Sequence, residues 1–115
     1  MNTLGKEGED IALDFLRKKG FIIVRKNYRT AFGEIDIIAK DREVIVFVEV
    51  KTRADIAFGH PFEAVDKRKR EKIRKVALSF MKTQKKEFPS RFDVMSITRN
   101  GGRTSIEHIQ DAFEV

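Results

Sequence analysis

The segment of residues 43–53, with the sequence EVIVFVEVKTR, constrains the fold more than any other part of the chain. Successive side chains of a β-strand point to opposite faces. One face of this strand would carry valine at four alternate positions, from Val44 to Val50, whereas the other begins apolar and becomes charged at Glu49 and Lys51. Charged side chains are rarely placed inside a hydrophobic strand without a partner. The segment therefore predicts a central strand with a functional pair of charges near its end.

Hydrophobic periodicity predicts two helices and five strands in the order αβββαββ. We expect a helix at about 4–19, strands at 21–29, 34–39 and 43–53, a helix at roughly 62–84, and strands at 91–99 and 104–109. Short turns between the first three strands favour an antiparallel arrangement. This order predicts an α/β fold in which helices flank a mixed central sheet. A chain of 115 residues has room for one domain, spanning 1–115.

The composition excludes several classes of function. The chain has no cysteine, which rules out disulfides, thiolate metal ligands and a cysteine nucleophile. Neither a secretory signal nor an apolar run long enough to span a membrane is visible. We therefore expect a cytoplasmic protein that has no membrane partner.

The net charge of +6 is concentrated in one segment. Residues 66–86 contain ten Lys or Arg residues and two acidic ones, a balance of +8, which leaves −2 for the rest of the chain. Such a patch attracts polyanions and would give salt-dependent binding to phosphates. A solvated helix face rich in lysine is the alternative interpretation.

A second carboxylate is expected to join Glu49 from the neighbouring strand. If the turn between the two strands centres on residues 41–42, Asp36 pairs with Phe47 and Glu49 pairs with Glu34. Asp36 would then lie diagonally across from Glu49, within reach of a shared ligand. The opposite face of that strand would consist of Ile35, Ile37 and Ala39.

Clustered carboxylates indicate a metal site. Carboxylates in one partly buried position repel one another unless a cation lies between them. A hard divalent ion such as Mg²⁺, or Mn²⁺ in its place, satisfies this demand. We expect Asp36 and Glu49 to be its ligands, with the carbonyl of Val50 as a third, and Lys51 to hold the attacking water or the developing negative charge. The alternative is a surface ion pair of Glu49 and Lys51 on an edge strand.

The two strands together resemble the core motif of the PD-(D/E)XK nuclease superfamily. The motif is carried by GEIDII at residues 33–38 and FVEVKTR at residues 47–53, with 12 residues between Asp36 and Glu49. Ile35 stands where the superfamily name has proline. More narrowly, the chain resembles the YraN-like family, which is compared with archaeal Holliday junction resolvases. The likeness extends through Gly8-Glu9, Asn27-Tyr28-Arg29, Phe58-Gly59, Arg91-Phe92-Asp93-Val94 and Ala112-Phe113.

The resemblance implies a restriction-endonuclease-like αβββαβ core and an Mg²⁺-dependent endonuclease, with branched DNA among the expected substrates. By position, it implies that Asp36, Glu49 and Lys51 are catalytic and that Glu9 is a further catalytic acid and metal ligand. The alternative for Glu9 is an exposed acid that favours the N-terminal half of the helix. Junction resolvases need two active sites, so the resemblance also implies a homodimer. Two arginines near the site and five basic residues of the second helix are expected to contact the nucleic acid: Arg29, Arg53, Lys67, Arg68, Lys69, Arg70 and Lys72.

Two other functions remain open. The chain could bind nucleic acid without cleaving it, or its basic helix could dock an acidic protein. The presence of Asp36, Glu49 and Lys51 together favours the nuclease, because binding alone does not need packed carboxylates.

Other polar residues are expected to have no part in the chemistry. The two histidines, His60 and His108, lie in unrelated segments, and we expect neither to bind zinc or to have another role. Asp93 is expected to form a structural ion pair with Arg91.

Overall fold

A computed structural model of the chain describes residues 3–54 and 66–113. Its elements are α1 (Thr3–Lys18), β1 (Ile22–Thr30), β2 (Gly33–Asp41), β3 (Val44–Arg53), α2 (Lys67–Met81), β4 (Ser90–Asn100) and β5 (Arg103–Phe113). Both helices and all five strands are as predicted, except that β5 continues beyond residue 109 and α2 ends before residue 84. The predicted start of α2 at residue 62, the Phe58-Gly59 motif and His60 lie outside the described residues. Within those residues, neither helix is long and apolar enough to cross a membrane.

The strands form one mixed sheet in the order β1-β2-β3-β4-β5. β3 and β4 run parallel, and the other neighbouring pairs are antiparallel. A parallel pair needs a crossover connection, and α2 lies within that connection. The predicted α/β fold is confirmed. β3 is the central strand, so the alternative that placed Glu49 and Lys51 on an edge strand is wrong.

Each helix covers one face of the sheet. α1 packs through residues such as Leu16 onto a cluster that contains Val48 of β3. α2 packs through residues such as Phe80 onto the opposite face, where it meets Phe47. Because side chains alternate along β3, neighbouring residues of this strand enter different cores. Each large side chain that is fully buried in this way contributes roughly 1.5–3 kcal/mol.

α1 lies very close to β3 at Gly8. A Cβ atom on residue 8 would lie 1.9 Å from Thr52 Oγ1, so only glycine fits at this crossing. The helix ends before Gly20, whose φ of +94° suits glycine at a helix C-terminus. The close crossing brings Glu9 near enough to Glu49 for the two carboxylates to interact electrostatically.

α2 begins at a well-defined cap. The side chain of Asp66 accepts a hydrogen bond from the backbone N of Lys69 at 2.9 Å. The buried residues of the helix start only in its second turn: Ile73, Val76, Ala77 and Phe80. Its first half is therefore basic and largely exposed.

The predicted register between β2 and β3 is wrong by two residues. Ile38, and not Asp36, pairs with Phe47. The turn is centred on residues 42–43, one position later than predicted, and Arg42 adopts a left-handed conformation with a φ of 59°. A left-handed residue is typical of a two-residue hairpin turn.

The predicted faces of β2 are right for Ile37 and Ala39, which share one side of the sheet, and wrong for Ile35. Ile35 and Ile38 pack on the α2 side of the sheet, whereas Ile37 packs on the α1 side. The regular alternation is thus interrupted at Asp36. Across from it in β1, Asn27 has a φ of 51°, so both strands are irregular at the same level.

Candidate functional site

The site forms where the β2–β3 ladder ends. The last backbone pair is Ile37 with Val48. Beyond it, the backbone N of Val50 donates to Asp36 Oδ2 at 2.8 Å. At this point the side chain of Asp36, and not the main chain of β2, accepts the hydrogen bond from β3. Continuing the same register places Asp36 level with Glu49 rather than diagonally across from it.

The surroundings of Asp36 disfavour its negative charge. Burial raises the pKa of Asp36 to about 7, and the nearby carboxylate of Glu49 adds to this shift. The hydrogen bond from Val50 opposes it, while Glu9 and Glu34 raise the pKa more weakly. Four carboxyl groups thus lie close enough to interact, and one of them, Asp36, is about half protonated at neutral pH.

Glu49 is nearly buried, with 10% of its side chain exposed, and two lysines contact the same oxygen. Lys69 Nζ lies 2.6 Å from Glu49 Oε1, and Lys51 Nζ lies 3.3 Å from it. Lys51 follows Glu49 by two residues on β3, whereas Lys69 reaches the site from the first turn of α2. The charge of Glu49 is therefore neutralised within the protein itself.

The two lysines differ in how firmly they hold their protons. Burial lowers the pKa of Lys51, and the adjacent Lys69 acts in the same direction. Burial is the largest single effect on Lys69 and would lower its pKa. The hydrogen bonds to Glu49 and Lys51 and the nearby carboxylates together exceed it, so the pKa of Lys69 is raised. Lys51 is thus the lysine that releases its proton more readily.

Asn27 holds the outer acidic residues of the site. With its amide nitrogen turned towards the carboxylates, Asn27 donates to Glu9 Oε1 at 2.8 Å and to Glu34 Oε1 at 2.9 Å. Glu34 also accepts a hydrogen bond from Arg29 Nη2 at 2.7 Å. Burial and the neighbouring Glu34 raise the pKa of Glu9. Asn27 therefore ties α1 to β2 through two carboxylates.

The residues of the site fit a hard divalent cation if one contact changes. Within 3–54 and 66–113, no three acidic or histidine side chains already converge as a metal cage. Mg²⁺ is nevertheless commonly held by one or two carboxylates together with waters and substrate phosphates. Asp36 and Glu49 are such a pair, provided that Lys69 releases Glu49.

Sequence comparisons relate the chain to proteins of similar length. The uncharacterised protein family UPF0102 matches residues 8–97. A UPF0102 protein of Thermodesulfovibrio yellowstonii is 51% identical over 110 residues, which cover 96% of this chain and 95% of the relative. A UPF0102 protein of Dictyoglomus thermophilum is 45% identical over 113 residues, which cover 96% of each. This chain belongs to the UPF0102 family.

The region that matches UPF0102 contains the whole site. The site consists of seven residues: Glu9, Asn27, Glu34, Asp36, Glu49, Lys51 and Lys69. The four residues predicted to be catalytic are all among them, and the structure brings them together at one end of the sheet. Val50, the expected carbonyl ligand, uses its N–H to hold Asp36.

The residues of this UPF0102 chain that were predicted to contact nucleic acid lie in different surroundings. Lys69 is half-buried against Glu49, and Arg29 is paired with Glu34. Arg53 is half-buried at the end of β3. The other four are exposed in the first half of α2: Lys67, Arg68, Arg70 and Lys72.

Three site residues were not predicted in the roles that they have. Glu34 had a usable signal, because it is a second acidic residue beside Asp36 in the same strand. Asn27 lies in one of the segments that carry the family resemblance, but its left-handed backbone and its two carboxylate partners emerge only in the folded chain. The contact of Lys69 with Glu49 depends on where α2 crosses the sheet.

A second buried polar cluster surrounds Asp93 on β4. His108 Nε2 lies 2.7 Å from Asp93 Oδ2, Arg91 Nε donates to Asp93 Oδ1 at 3.0 Å, and the backbone N of Asp111 also donates. Burial would raise the pKa of Asp93, but these hydrogen bonds hold it below its usual range. The predicted Asp93–Arg91 ion pair is confirmed. The expectation that His108 has no role is wrong, because its buried side chain completes this structural cluster.

Proposed function

We propose that this protein is an Mg²⁺- or Mn²⁺-dependent nuclease that hydrolyses phosphodiester bonds in DNA. One observation carries the proposal: Asp36, with a pKa of about 7, lies beside the nearly buried Glu49, and Lys51 contacts the same glutamate. A carboxyl group that disfavours its own charge, next to a second carboxylate and an ammonium group, suits a divalent ion and a phosphoryl group. The resemblance to PD-(D/E)XK nucleases supports the same conclusion.

The side chains of the site divide the work between them. Asp36 and Glu49 would hold the ion, which when bound would polarise a phosphoryl oxygen and make a water more acidic. Lys51 directs its ammonium group towards the attacking water or the phosphoryl oxygen, where negative charge develops. Asn27 keeps Glu9 beside the two metal ligands. In the reaction, water adds to phosphorus, one P–O ester bond breaks, and the departing oxygen takes up a proton.

The basic half of α2 supports a nucleic-acid substrate. Lys67 and Arg68 are exposed beside Lys69, so the phosphates of DNA would be attracted to the end of the sheet that carries the carboxylates. Phe32 is half-exposed at the β1–β2 turn, with Lys75 Nζ 5.6 Å from the centre of its ring. An aromatic ring next to basic side chains offers a surface on which an unpaired base can stack. The resemblance to junction resolvases adds the expectation of a homodimer.

A second candidate is a protein that binds nucleic acid and does not cleave it. The observation in its favour is that Glu49 already has two ammonium partners. Its charge is balanced without a metal ion, and the cluster would then serve to hold α2 against the sheet.

Cleavage assays distinguish the two candidates. The protein is incubated with branched, duplex and single-stranded DNA, and with single-stranded RNA, in the presence of Mn²⁺. The nuclease predicts cleavage of at least one DNA, reduced roughly hundredfold or more in Asp36→Asn and in Lys51→Met. Asp14→Asn is the matched control, because Asp14 is exposed on α1 in a pair with Lys18 and should leave cleavage unchanged. Binding of DNA without cleavage of any substrate would favour the second candidate.

A further inference from the structure

Lys69 has a position that general binding to phosphates does not explain. Its neighbours Lys67 and Arg68 are exposed to solvent, whereas Lys69 is half-buried and reaches β3. Its Nζ atom lies 2.6 Å from Glu49 Oε1, which is the shorter of the two lysine contacts to that oxygen. The cap made by Asp66 fixes the backbone of Lys69, so the reach of its side chain is set by where α2 begins.

This contact occupies an oxygen that a metal ion would need. A divalent ion on Glu49 would bring two positive charges within a few Å of the Lys69 ammonium. Like charges at that separation repel strongly where water is largely excluded. Glu49 is such a place, since only 10% of its side chain is exposed. The ion and the ammonium are therefore competitors for one carboxylate.

We propose that Lys69 is an internal substitute for the divalent ion: its ammonium neutralises Glu49 in the metal-free protein and leaves Glu49 Oε1 when a metal ion binds. The inference rests on the proposed function, because it takes Asp36 and Glu49 as the metal ligands. Lys69 is then a positioning residue that keeps the Glu49 carboxylate in place and sets the affinity for metal.

Lys51 is less suited to this exchange. It lies on the same strand as Glu49, and only 22% of its side chain is exposed, compared with 38% for Lys69. Lys69 stands at a helix start with a long flexible side chain, so its ammonium can move into solvent while its backbone stays in place. After the exchange, Lys69 remains beside the site, where the phosphates of a bound nucleic acid replace Glu49 as its partner.

Titration with Mn²⁺, followed by calorimetry without substrate, tests the proposal. We expect Lys69→Met to bind Mn²⁺ about tenfold tighter than the wild type, because the competing charge is gone. Lys72→Met removes the same charge from an exposed position of α2 and should change the affinity by less than about twofold. Lys69→Arg keeps the charge, so its affinity for Mn²⁺ should stay close to that of the wild type. Circular dichroism checks that each variant is folded.

Each outcome decides between the two proposals. In one outcome, the wild type binds Mn²⁺ and Asp36→Asn and Glu49→Gln do not, but Lys69→Met binds Mn²⁺ no tighter than Lys72→Met. The role of Lys69 is then overturned, and the metal site stands. If the wild type and Lys69→Met both fail to bind Mn²⁺, the metal site itself is contradicted, and the role of Lys69 with it.

Discussion

Asp36 and Asp93 lie on strands of one sheet, yet their surroundings move their pKa values in opposite directions. Burial and the nearby Glu49 raise the pKa of Asp36 to about 7, and the hydrogen bond from the backbone N–H of Val50 opposes this shift. Asp93 is also buried, but Arg91, His108 and a backbone N–H hold its pKa below the usual range. A raised pKa within a group of carboxylates is typical of a functional site, whereas a carboxylate held by cations and hydrogen bonds is typical of a structural element.

The raised pKa of Asp36 predicts a change in the pH dependence of stability. The folded state holds this proton up to a pH of about 7, whereas the unfolded chain loses it near 3.9, so the free energy of unfolding falls as the pH rises between these values. Asp36→Asn cannot ionise, and its amide oxygen can still accept from Val50. In metal-free buffer, we therefore expect the free energy of unfolding of Asp36→Asn, relative to that of the wild type, to rise by about 1–3 kcal/mol from pH 5 to pH 8.

Urea denaturation at the two pH values measures this difference. Asp14→Asn serves as the control, because Asp14 is exposed and its pair with Lys18 contributes little. Parallel pH profiles for the wild type and Asp36→Asn would mean that Asp36 is not held in its neutral form.

The lowered pKa of Asp93 predicts that its contribution to the free energy of unfolding depends on pH in the opposite direction. Its contribution is present above the unfolded pKa of about 3.9 and is lost as the pH falls through its lower folded pKa. At pH 7, Asp93→Asn removes the carboxylate that His108 contacts and leaves Arg91 with Asp41 as its partner. We expect a loss of roughly 2–4 kcal/mol. The difference from the wild type, measured by urea denaturation, should shrink at pH 3. An equal loss at both pH values would show that packing, not charge, is what Asp93 contributes.

The crossing of α1 over β3 sets the position of Glu9. Gly8 allows the helix backbone to approach Thr52 more closely than any side chain would permit. Glu9 follows Gly8 directly, so the depth of this crossing determines whether its carboxylate reaches Asn27 and the acidic residues of the sheet.

Gly8→Ala should therefore destabilise the protein, although alanine favours a helix. The added methyl would meet three atoms of Thr52 at 2.9 Å or less, and the short side chain of threonine cannot move away. We expect a loss of roughly 1–3 kcal/mol in thermal or urea unfolding. A double-mutant cycle with Thr52→Ala provides the control, because the cost should be smaller once the hydroxyl and methyl groups are gone. An equal loss of stability from Gly8→Ala in the wild type and in Thr52→Ala would mean that the strain does not come from the side chain of Thr52.

The basic segment of the chain is divided between two ends of the molecule. α2 has 15 residues and spans about 22 Å, so its first turn lies at the site while its last turn and the following residues lie near the start of β3. Pro89 accepts a hydrogen bond from the backbone N of Ile45, which marks this far end. If the protein acts on nucleic acid as proposed, only the basic residues of the first turn lie close enough to Glu49 to guide a phosphate chain to it.

This division predicts how the binding of nucleic acid depends on salt. Replacing Lys67, Arg68 and Lys72 by Gln should reduce the slope of log Kobs against log salt for duplex DNA by about 2–3. The same replacement at Lys82, Lys85 and Lys86 removes an equal charge from the far end and should change the slope by less than about 1. Fluorescence anisotropy at several salt concentrations measures both. Equal slopes for the two triple variants would indicate diffuse attraction to the whole protein.

The helices, the strands and the central place of β3 could be predicted from the sequence, because they depend on periodicity over neighbouring residues. The alternation of Val44 to Val50 against Ile45 and Phe47 already requires a layer on each face. The nearness of Asp36 to Glu49 also followed from the sequence, but the predicted register was wrong by two residues, because the turn is centred one position later than expected.

The contacts that complete the site were decided by the tertiary structure. Lys69 meets Glu49 from 20 residues further along the chain, and Asn27 bridges Glu9 and Glu34 from three different elements. Such contacts depend on the path of a crossover and on the level at which strands lose their regular pairing. No local pattern encodes either, because each is the outcome of how both helices pack on the sheet at once.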